Sequence, residues 1–444
     1  MELLLNAPVL VMLWRLAGPN VLAVGMLSAV TFADAWYVGQ VSTAALASLA
    51  LVFPFQTLMQ MMAGGAIGGG VTSAVARALG ADDAAKAECI AWHSVVVGVG
   101  MSFVFLVVLG LCASPIFSLL DGSGNASGGA VNYAYIAFGG ATAFWGMYIL
   151  SAVLRGVGDT TTPARAITIA SIAQIALSGT LTLGWGGLPA LGIVGPAVAM
   201  VVCHGGAALY LYLFLCFGKA RIQLRPSPVR WIYFKDILQV GGIGLCNSAF
   251  MALNVVFVTG LVGRYGFEAL AGYGLGARLE LMLVPIAFGI GAALTAAVGA
   301  NVGAGQFARA RRIAWTGGGI TLALTGAIGL IAALKPELWL NMFTEDASAF
   351  RFGALYLGIA APFYGLFGAG QAFYFASQGT GRLFWPVFAS GIRFLFVVGL
   401  GALVVSLEQD VTAVFWVVAG GLTIIGVGQA LCLRTTAWRG GPCA

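Results

Sequence analysis

Charged residues are scarce in this chain: they make up 8% of its 444 residues, whereas apolar residues make up 60%. Soluble proteins carry roughly 25% charged residues, and a soluble fold could not bury so large a fraction of apolar residues away from water. The scarcity excludes a soluble fold and predicts that lipid surrounds the chain. A helix needs about 20 apolar residues to cross a bilayer, and the chain contains about twelve such stretches.

The groups that enzymes and metal sites use are also scarce. There are two histidines, His93 and His204, and both lie in predicted spans. The seven cysteines include no CxxC pair, and packing is the interpretation we favour for both residue types. No GxxxxGK[ST] loop occurs, so ATP is not the energy source within this chain. The sequence therefore predicts neither an enzyme nor a bound cofactor.

The second half of the chain repeats the pattern of the first. Residues 71–92 and 294–315 are identical at ten of 22 positions, including Gly80 and Gly303. Further pairs at nearly the same offset are Tyr133/Tyr356, Gly156/Gly379, Gly158/Gly381 and Pro163/Pro386. A repeat of this length in an apolar chain predicts two membrane bundles that face each other across a cavity, as in transporters.

The apolar stretches predict twelve spans: 15–39, 44–72, 88–112, 131–154, 163–184, 192–217, 236–262, 267–300, 313–335, 350–378, 384–406 and 411–433. Six spans in each half give both halves the same orientation, so a pseudo-two-fold axis along the membrane normal relates them. The predicted fold is an all-α integral membrane protein of two six-helix bundles. Its predicted parts are an N-terminal lobe (1–217), a basic cytoplasmic linker (218–235) and a C-terminal lobe (236–444).

Lysine and arginine are unevenly divided between the two sets of loops. Of 21 basic residues, seventeen lie in or beside one set, three in the other, and Arg278 falls inside a span. The positive-inside rule places the basic set and both termini in the cytoplasm, with the chain in the plasma or inner membrane. This asymmetry explains the net charge of +6. Nucleic-acid binding would need a clustered basic face on a soluble fold, and neither is predicted.

Two carboxylates fall deep in predicted spans, Asp34 in the first and Glu280 in the eighth. A charged group at mid-bilayer costs about 3 kcal/mol on insertion scales, so each is expected to have a function. Asp34 has no cation nearby in sequence, and a carboxyl buried without a cation takes up a proton more readily than one in water. The alternative is that Asp34 reaches water at a helix end. Glu280 is either a structural ion pair with a cation on another helix or a second protonatable or substrate-contacting acid.

Neutral polar side chains also recur in the spans. Each one alone is explained by hydrogen bonding between helices, but together they predict a polar cavity. Aromatic side chains could line it and stack on flat or cationic substrates, although aromatics near span ends are also typical interfacial anchors. The residues that we predict to line this substrate cavity are Trp36, Tyr37, Gln56, Asn254, Arg278, Glu280 and Gln371.

The first-span segment ADAWYVG (33–39), followed by AALA (44–47), resembles the D-x-x-x-V-G…A-L-A signature of the multidrug and toxic compound extrusion (MATE) family. LRGVGDT (154–160) and the segments around Gly80 and Gly303 are similar to other parts of that family, so the resemblance covers most of the chain. It implies a V-shaped pair of six-helix bundles. It also implies export of organic cations or similar compounds in exchange for protons or sodium. The expected partners are small cationic or amphipathic molecules and the bilayer, and a monomer is expected.

The same resemblance assigns roles to particular residues. Asp34 matches the family's essential first-span acid, and Gln174 and Ser178 occupy the fifth-span positions that assist it. Met200 stands where the family has a sixth-span threonine, and Asn247, Asn254 and Gln371 stand in spans where some members have acids. A sodium site needs several oxygen ligands, whereas one titrating carboxyl suffices for a proton. We therefore predict proton coupling at a set of four residues: Asp34, Gln174, Ser178 and Tyr133.

The predicted function is a secondary exporter that uses a proton gradient and alternating access. A sodium-coupled exporter is one alternative. A lipid-linked saccharide or lipid flippase is another; it would need a strongly basic cavity for a pyrophosphate, and Arg278 is the one plausible deep cation in the sequence. A channel would need a ring-like selectivity element, which a two-lobe chain does not supply.

Overall fold

The computed structural model describes residues 1–120, 127–187, 189–218, 220–435 and 438, and these residues contain helices and no β-strand. Eleven of the described helices are long and apolar enough to cross a bilayer. A pair bent by 47°, Gly128–Gly139 and Ala141–Val157, makes the twelfth. The prediction of an all-α membrane protein with twelve spans is therefore confirmed.

We number the spanning helices α1 to α12 in chain order, with the bent pair as α4. The other eleven are Val9–Val41, Thr43–Gly80, Ala84–Leu111, Thr161–Leu183, Val194–Phe217, Trp231–Gly263, Phe267–Gly303, Phe307–Leu334, Ala347–Thr380, Phe384–Ser406 and Val411–Cys432. Each predicted span overlaps one of these helices. Three shorter helices are Glu2–Leu5, Ala113–Leu120 and Glu337–Leu340.

Several of the few acids are used to start helices. Asp83 accepts the backbone N–H of Lys86 at the beginning of α3, and Asp410 accepts that of Val411 at the beginning of α12. A carboxylate at this position satisfies donors that have no partner inside the helix and lies favourably at the positive end of its dipole. These acids stand between spans, which leaves Asp34 and Glu280 as exceptions that require another explanation.

The internal repeat is visible as repeated contacts. The Thr72 hydroxyl donates to the Ala152 carbonyl at 2.9 Å, and in the second half the Thr295 hydroxyl donates to the Phe375 carbonyl at 2.8 Å. Thr72/Thr295 and Ala152/Phe375 are pairs at the same offset as the sequence repeat. The same helix pair is thus joined at the same place in both halves, as a pseudo-two-fold relation requires.

The two halves meet at the end of the molecule that carries the α2–α3 and α8–α9 turns. There Gly80 packs on the Ala300 carbonyl and Gly303 on the Arg77 carbonyl, with a hypothetical Cβ only 2.1 Å from the oxygen in each case. The first half of α1 also joins the halves, because Leu13 belongs to a buried cluster with residues of α8 and α9. Two larger buried clusters, within 23–237 and within 258–425, lie on either side of this contact.

The segment between α6 and α7 is attached to α3. The Gln223 N–H donates to Glu88 at 3.0 Å, and the Arg230 N–H donates to His93 Nε2 at 2.9 Å. His93 is thus a partner of the linker as well as a packed residue. Lys219, Arg439 and Cys443 lie outside the described residues. We keep 1–217, 218–235 and 236–444 as the proposed N-lobe, linker and C-lobe.

Candidate functional site

Helices α1 and α5 bring Asp34 against two polar side chains. The Ser178 hydroxyl donates to Asp34 Oδ1 at 2.5 Å, and the Gln174 side chain lies close enough to interact with this carboxylate. Gln174 and Ser178 are four residues apart, so they lie on the same face of α5. Asp34 is 9% exposed and lies two turns before the end of α1 at Val41. It is a buried acid rather than one that reaches water at a helix end.

A second pair of side chains lies beside this acid. Gln56 Nε2 on α2 donates to the Tyr133 hydroxyl of α4 at 2.7 Å and approaches the Met200 sulfur at 3.6 Å. Tyr133 is fully buried and close enough to interact with the charge of Asp34. All four residues predicted for ion coupling therefore lie in one N-lobe cluster, together with Gln56. We call this group, Asp34, Gln56, Tyr133, Gln174 and Ser178, the N-lobe site.

The N-lobe site holds an acid without a cation. Two ion pairs occur among the described residues, Lys86 with Asp236 and Arg393 with Glu280, and neither involves Asp34. No cluster of three or more metal-binding side chains is found in the described part of the chain. The site can therefore bind a proton with groups already in place, whereas a hard cation would find only one carboxylate among neutral groups.

The aromatic residues after Asp34 face different surroundings. The Tyr37 ring lies against Gly179, next to Ser178, where a Cβ would be 2.7 Å from it. It also packs edge-on to Trp185 with 5.9 Å between ring centroids. Tyr37 thus covers one side of the N-lobe site. Trp36 is 57% exposed, and its ring packs edge-on to that of Tyr37.

Glu280 on α8 is held by a different set of groups. The Tyr356 hydroxyl of α10 donates to Glu280 Oε2 at 2.9 Å, and Arg393 of α11 lies 3.9 Å from Oε1. The ion pair with a cation on another helix, one of the two alternatives for this acid, is what the structure contains. Arg278 is not part of this pair; it is exposed and lines a surface depression with Phe343 and Thr344.

Arg393 is the functional candidate that the sequence interpretation missed. We grouped it with the cytoplasmic basic residues, but it lies nine residues into α11, roughly 13 Å along the helix, and is 6% exposed. The set of basic residues that we predict to be cytoplasmic is correspondingly one smaller, and the exposed Arg278 is not a deep cation. The position of Arg393 inside the apolar run 384–406 could have indicated that it lies within a span.

Gln56 and Glu280, which we predicted to line one cavity, occupy equivalent positions in the two lobes. Gln56 corresponds to Glu280 at nearly the same repeat offset that relates their partners, Tyr133 and Tyr356. Each pair is a side chain of the second helix of its lobe bonded to a tyrosine of the fourth. The repeat thus has a polar side chain at the same position in both lobes. It is a neutral amide in the N-lobe and an acid in the C-lobe.

The remaining cavity residues gather in the C-lobe. Asn254 of α7 and Gln371 of α10 line a small cavity together with Arg393, and Asn247 and Ser390 lie beside them. The residues predicted for substrate binding therefore divide into three groups. Gln56 and Tyr37 belong to the N-lobe, Asn254, Gln371 and Glu280 belong to the C-lobe, and Trp36 and Arg278 are exposed.

Comparison with known proteins agrees with this architecture. A family model described as MatE matches residues 19–179 and 245–403. "Probable multidrug resistance protein NorM" of Thermotoga maritima is 29% identical over 72% of this chain and 69% of its own length. A protein described as "FAD transporter" from Shewanella oneidensis is 24% identical over 82% and 81%. A MOP superfamily transporter from Pyrococcus furiosus superposes with a TM-score of 0.90 at 22% identity, over 98% and 96%; this likeness concerns the fold.

Proposed function

Because the chain belongs to the MatE family, whose members are membrane transporters rather than enzymes, we propose that it exports organic cations or amphipathic compounds in exchange for protons. Multidrug transporters among its relatives support multidrug export, and transporters of this family need no cofactor. The proposal includes a monomer in the plasma or inner membrane with both termini in the cytoplasm.

The observation that carries proton coupling is the isolation of Asp34. The carboxylate is 9% exposed, accepts a hydrogen bond from Ser178, lies close to the Gln174 side chain, and has no cation among its described neighbours. Neutralising such a group by a proton removes the cost of burying its charge. A proton therefore changes the energetics of this site with no further ligand, whereas sodium would find one carboxylate and would have to take its other ligands from neutral oxygens such as Gln174 Oε1.

Helix α1 connects this site to the contact between the lobes. Its first half packs on α8 and α9, because Leu13 and Leu16 belong to a buried cluster with residues of these helices. Its second half holds Asp34 against α5. Pro19, between them, removes one helix hydrogen bond and permits a bend. We propose that protonation of Asp34 shifts α1, the substrate leaves outward, and the lobes then rock to reload from inside.

Reconstitution into liposomes tests the coupling ion. An imposed proton gradient is expected to drive export of a cationic dye, and adding dye to energised vesicles should release protons in step with it. An uncoupler should stop both. A sodium gradient in the absence of a proton gradient should drive nothing. If export persists with the proton gradient collapsed and requires sodium, the sodium-coupled alternative replaces this proposal.

Ser178→Ala is expected to slow proton-driven export by roughly tenfold, because a hydrogen bond to a charged group contributes about 1.5–3 kcal/mol to its stability. Ser171→Ala is the matched control: Ser171 is buried in the same helix, and its hydroxyl has no partner among the described residues. Dye export from vesicles at equal protein content provides the measurement. Equal rates for the two variants would show that Ser178 does not position Asp34.

The flippase alternative is weaker but has one argument in its favour. Arg393 is a buried cation beside the C-lobe cavity, as a phosphate ligand would require. A pyrophosphate, however, needs several such cations, and Arg393 is the one charged residue among those that line this cavity. Multidrug export thus remains the better proposal.

A further inference from the structure

The C-lobe cavity has more hydrogen-bond donors than acceptors. Gln371 Nε2 donates to the Met251 sulfur at 3.3 Å, and Asn247 Nδ2 approaches the same sulfur at 3.9 Å. A thioether is a weak acceptor, so neither amide has a good partner. Asn254 Oδ1 is the one buried acceptor of the cavity lining that has no partner among the described residues. A ligand rich in acceptor oxygens would satisfy most of these groups.

Arg393 is the strongest of these donors, and it is incompletely paired. Its Nε is buried with no partner among the described residues, and its ionic contact with Glu280, at 3.9 Å, is longer than a hydrogen bond. The guanidinium also lies over the Phe367 ring at 5.6 Å. A guanidinium has five N–H donors, so this arrangement leaves most of them available to a bidentate oxyanion.

The lining of this cavity is also partly apolar and aromatic. Phe250 of α7 and Phe394 of α11 stack with 5.7 Å between ring centroids, and both line the cavity with Met251. The cavity has a volume of about 10 Å³, so an anionic oxygen group can enter it as it stands, and the flat apolar body of a ligand would have to displace or insert between the two rings.

We propose that the C-lobe cavity is a binding site for the anionic oxygen group, carboxylate or phosphate, of an amphipathic compound, with Arg393 as the counter-charge. Until the ligand binds, the Glu280 carboxylate and Arg393 form only a long ionic contact. The inference rests on the proposed function in one respect: the ligand is taken to be a transported compound. The two lobes then differ in polarity, with an unpaired acid in the N-lobe site and an underused cation in the C-lobe cavity.

Equilibrium binding, without any gradient, separates this inference from proton-driven export. The protein is placed in nanodiscs of phosphatidylcholine, and binding of 2-naphthoate is compared with that of its neutral analogue 2-naphthamide by calorimetry. The naphthoate is expected to bind at least tenfold more tightly, and Arg393→Gln should remove the difference. Equal affinity of the two probes, or a preference that survives in Arg393→Gln, overturns the proposal whether or not transport is proton-driven.

Two further variants keep the test decisive. Arg351→Gln removes an exposed charge elsewhere in the C-lobe and should keep the preference. Glu280→Gln removes the competing carboxylate and retains a side chain that can accept from Tyr356, so naphthoate should bind several-fold more tightly. If Arg393→Gln does not fold, this gain still tests the idea, and unchanged or weaker binding in Glu280→Gln would contradict it.

The anionic group could belong to a soluble compound or to a lipid headgroup. Nanodiscs containing phosphatidylglycerol distinguish these sources. One outcome is that naphthoate binds the wild-type protein more weakly in phosphatidylglycerol nanodiscs than in phosphatidylcholine nanodiscs, while Arg393→Gln shows no such difference. A lipid phosphate then occupies the same site. If binding is equal in both lipids, the site selects soluble amphipathic anions.

Discussion

Replacing Asp34 with asparagine will abolish proton-driven export while the protein remains folded and inserted. Asparagine has nearly the same shape, and its oxygen can still accept the hydrogen bond that Ser178 donates to Asp34. It removes a buried charge that has no cationic partner, so stability should not fall. It cannot take up a proton, however, and the proposed cycle then has no titrating group in the N-lobe. Dye export driven by a proton gradient should drop to the level of empty vesicles.

Asp82→Asn is the matched control for this prediction. Asp82 is exposed in the α2–α3 turn and has a φ of 59°, a conformation that asparagine adopts readily. The chemical change is the same and the N-lobe site is untouched, so export should persist. Asp34→Glu should retain partial activity because it keeps a titrating carboxyl. Gradient-driven export by Asp34→Asn at the wild-type rate would place the coupling proton elsewhere, with Glu280 as the next candidate.

The helices were predictable because their signal is long and local. A stretch of about 20 apolar residues must be a span in lipid, whatever its neighbours are. The π-helical turn over Met61–Ile67 and the 47° bend in α4 were not predictable in this way. The glycines near them are compatible with either packing or bending, and the choice depends on helices that are distant in sequence. Within the turn itself, Gly68 donates its N–H to the Ala63 carbonyl, and a Cβ at Gly68 would lie 2.4 Å from that oxygen.

The sites were predictable only in part. Asp34 and its α5 partners were found because a lone acid in an apolar run is conspicuous and the family resemblance supplied the rest. The partner of Glu280 was missed, because Arg393 lies three spans further along the chain and the positive-inside rule offers a ready explanation for any arginine near a span end. The equivalence of Gln56 and Glu280 was present in the repeat offset. Its meaning required the hydrogen bonds to Tyr133 and Tyr356.

The second large effect is expected where the two repeats touch. The Gly80 backbone lies on the Ala300 carbonyl and the Gly303 backbone on the Arg77 carbonyl, a reciprocal contact around the pseudo-two-fold axis. A Cβ at either glycine would lie 2.1 Å from a backbone oxygen, which no side-chain rotation can relieve. Helices α2 and α8 would have to separate, and with them the lobes at this end. Each lobe has its own buried cluster, so folding should survive the separation.

Gly80→Ala is therefore expected to open this end, which the basic residues predict to be cytoplasmic. Overpacking costs about 1–3 kcal/mol, so the closed form should lose roughly 5- to 150-fold in population, and export should fall with it. Spin labels on Ala81→Cys and Gln306→Cys, in a background without the native cysteines, should report a longer distance. Gly319→Ala, where nothing lies within 4 Å of the added Cβ, should change neither distance nor export. If Gly80→Ala keeps the spin-label distance of the unsubstituted protein and exports at the full rate, this contact does not govern alternating access.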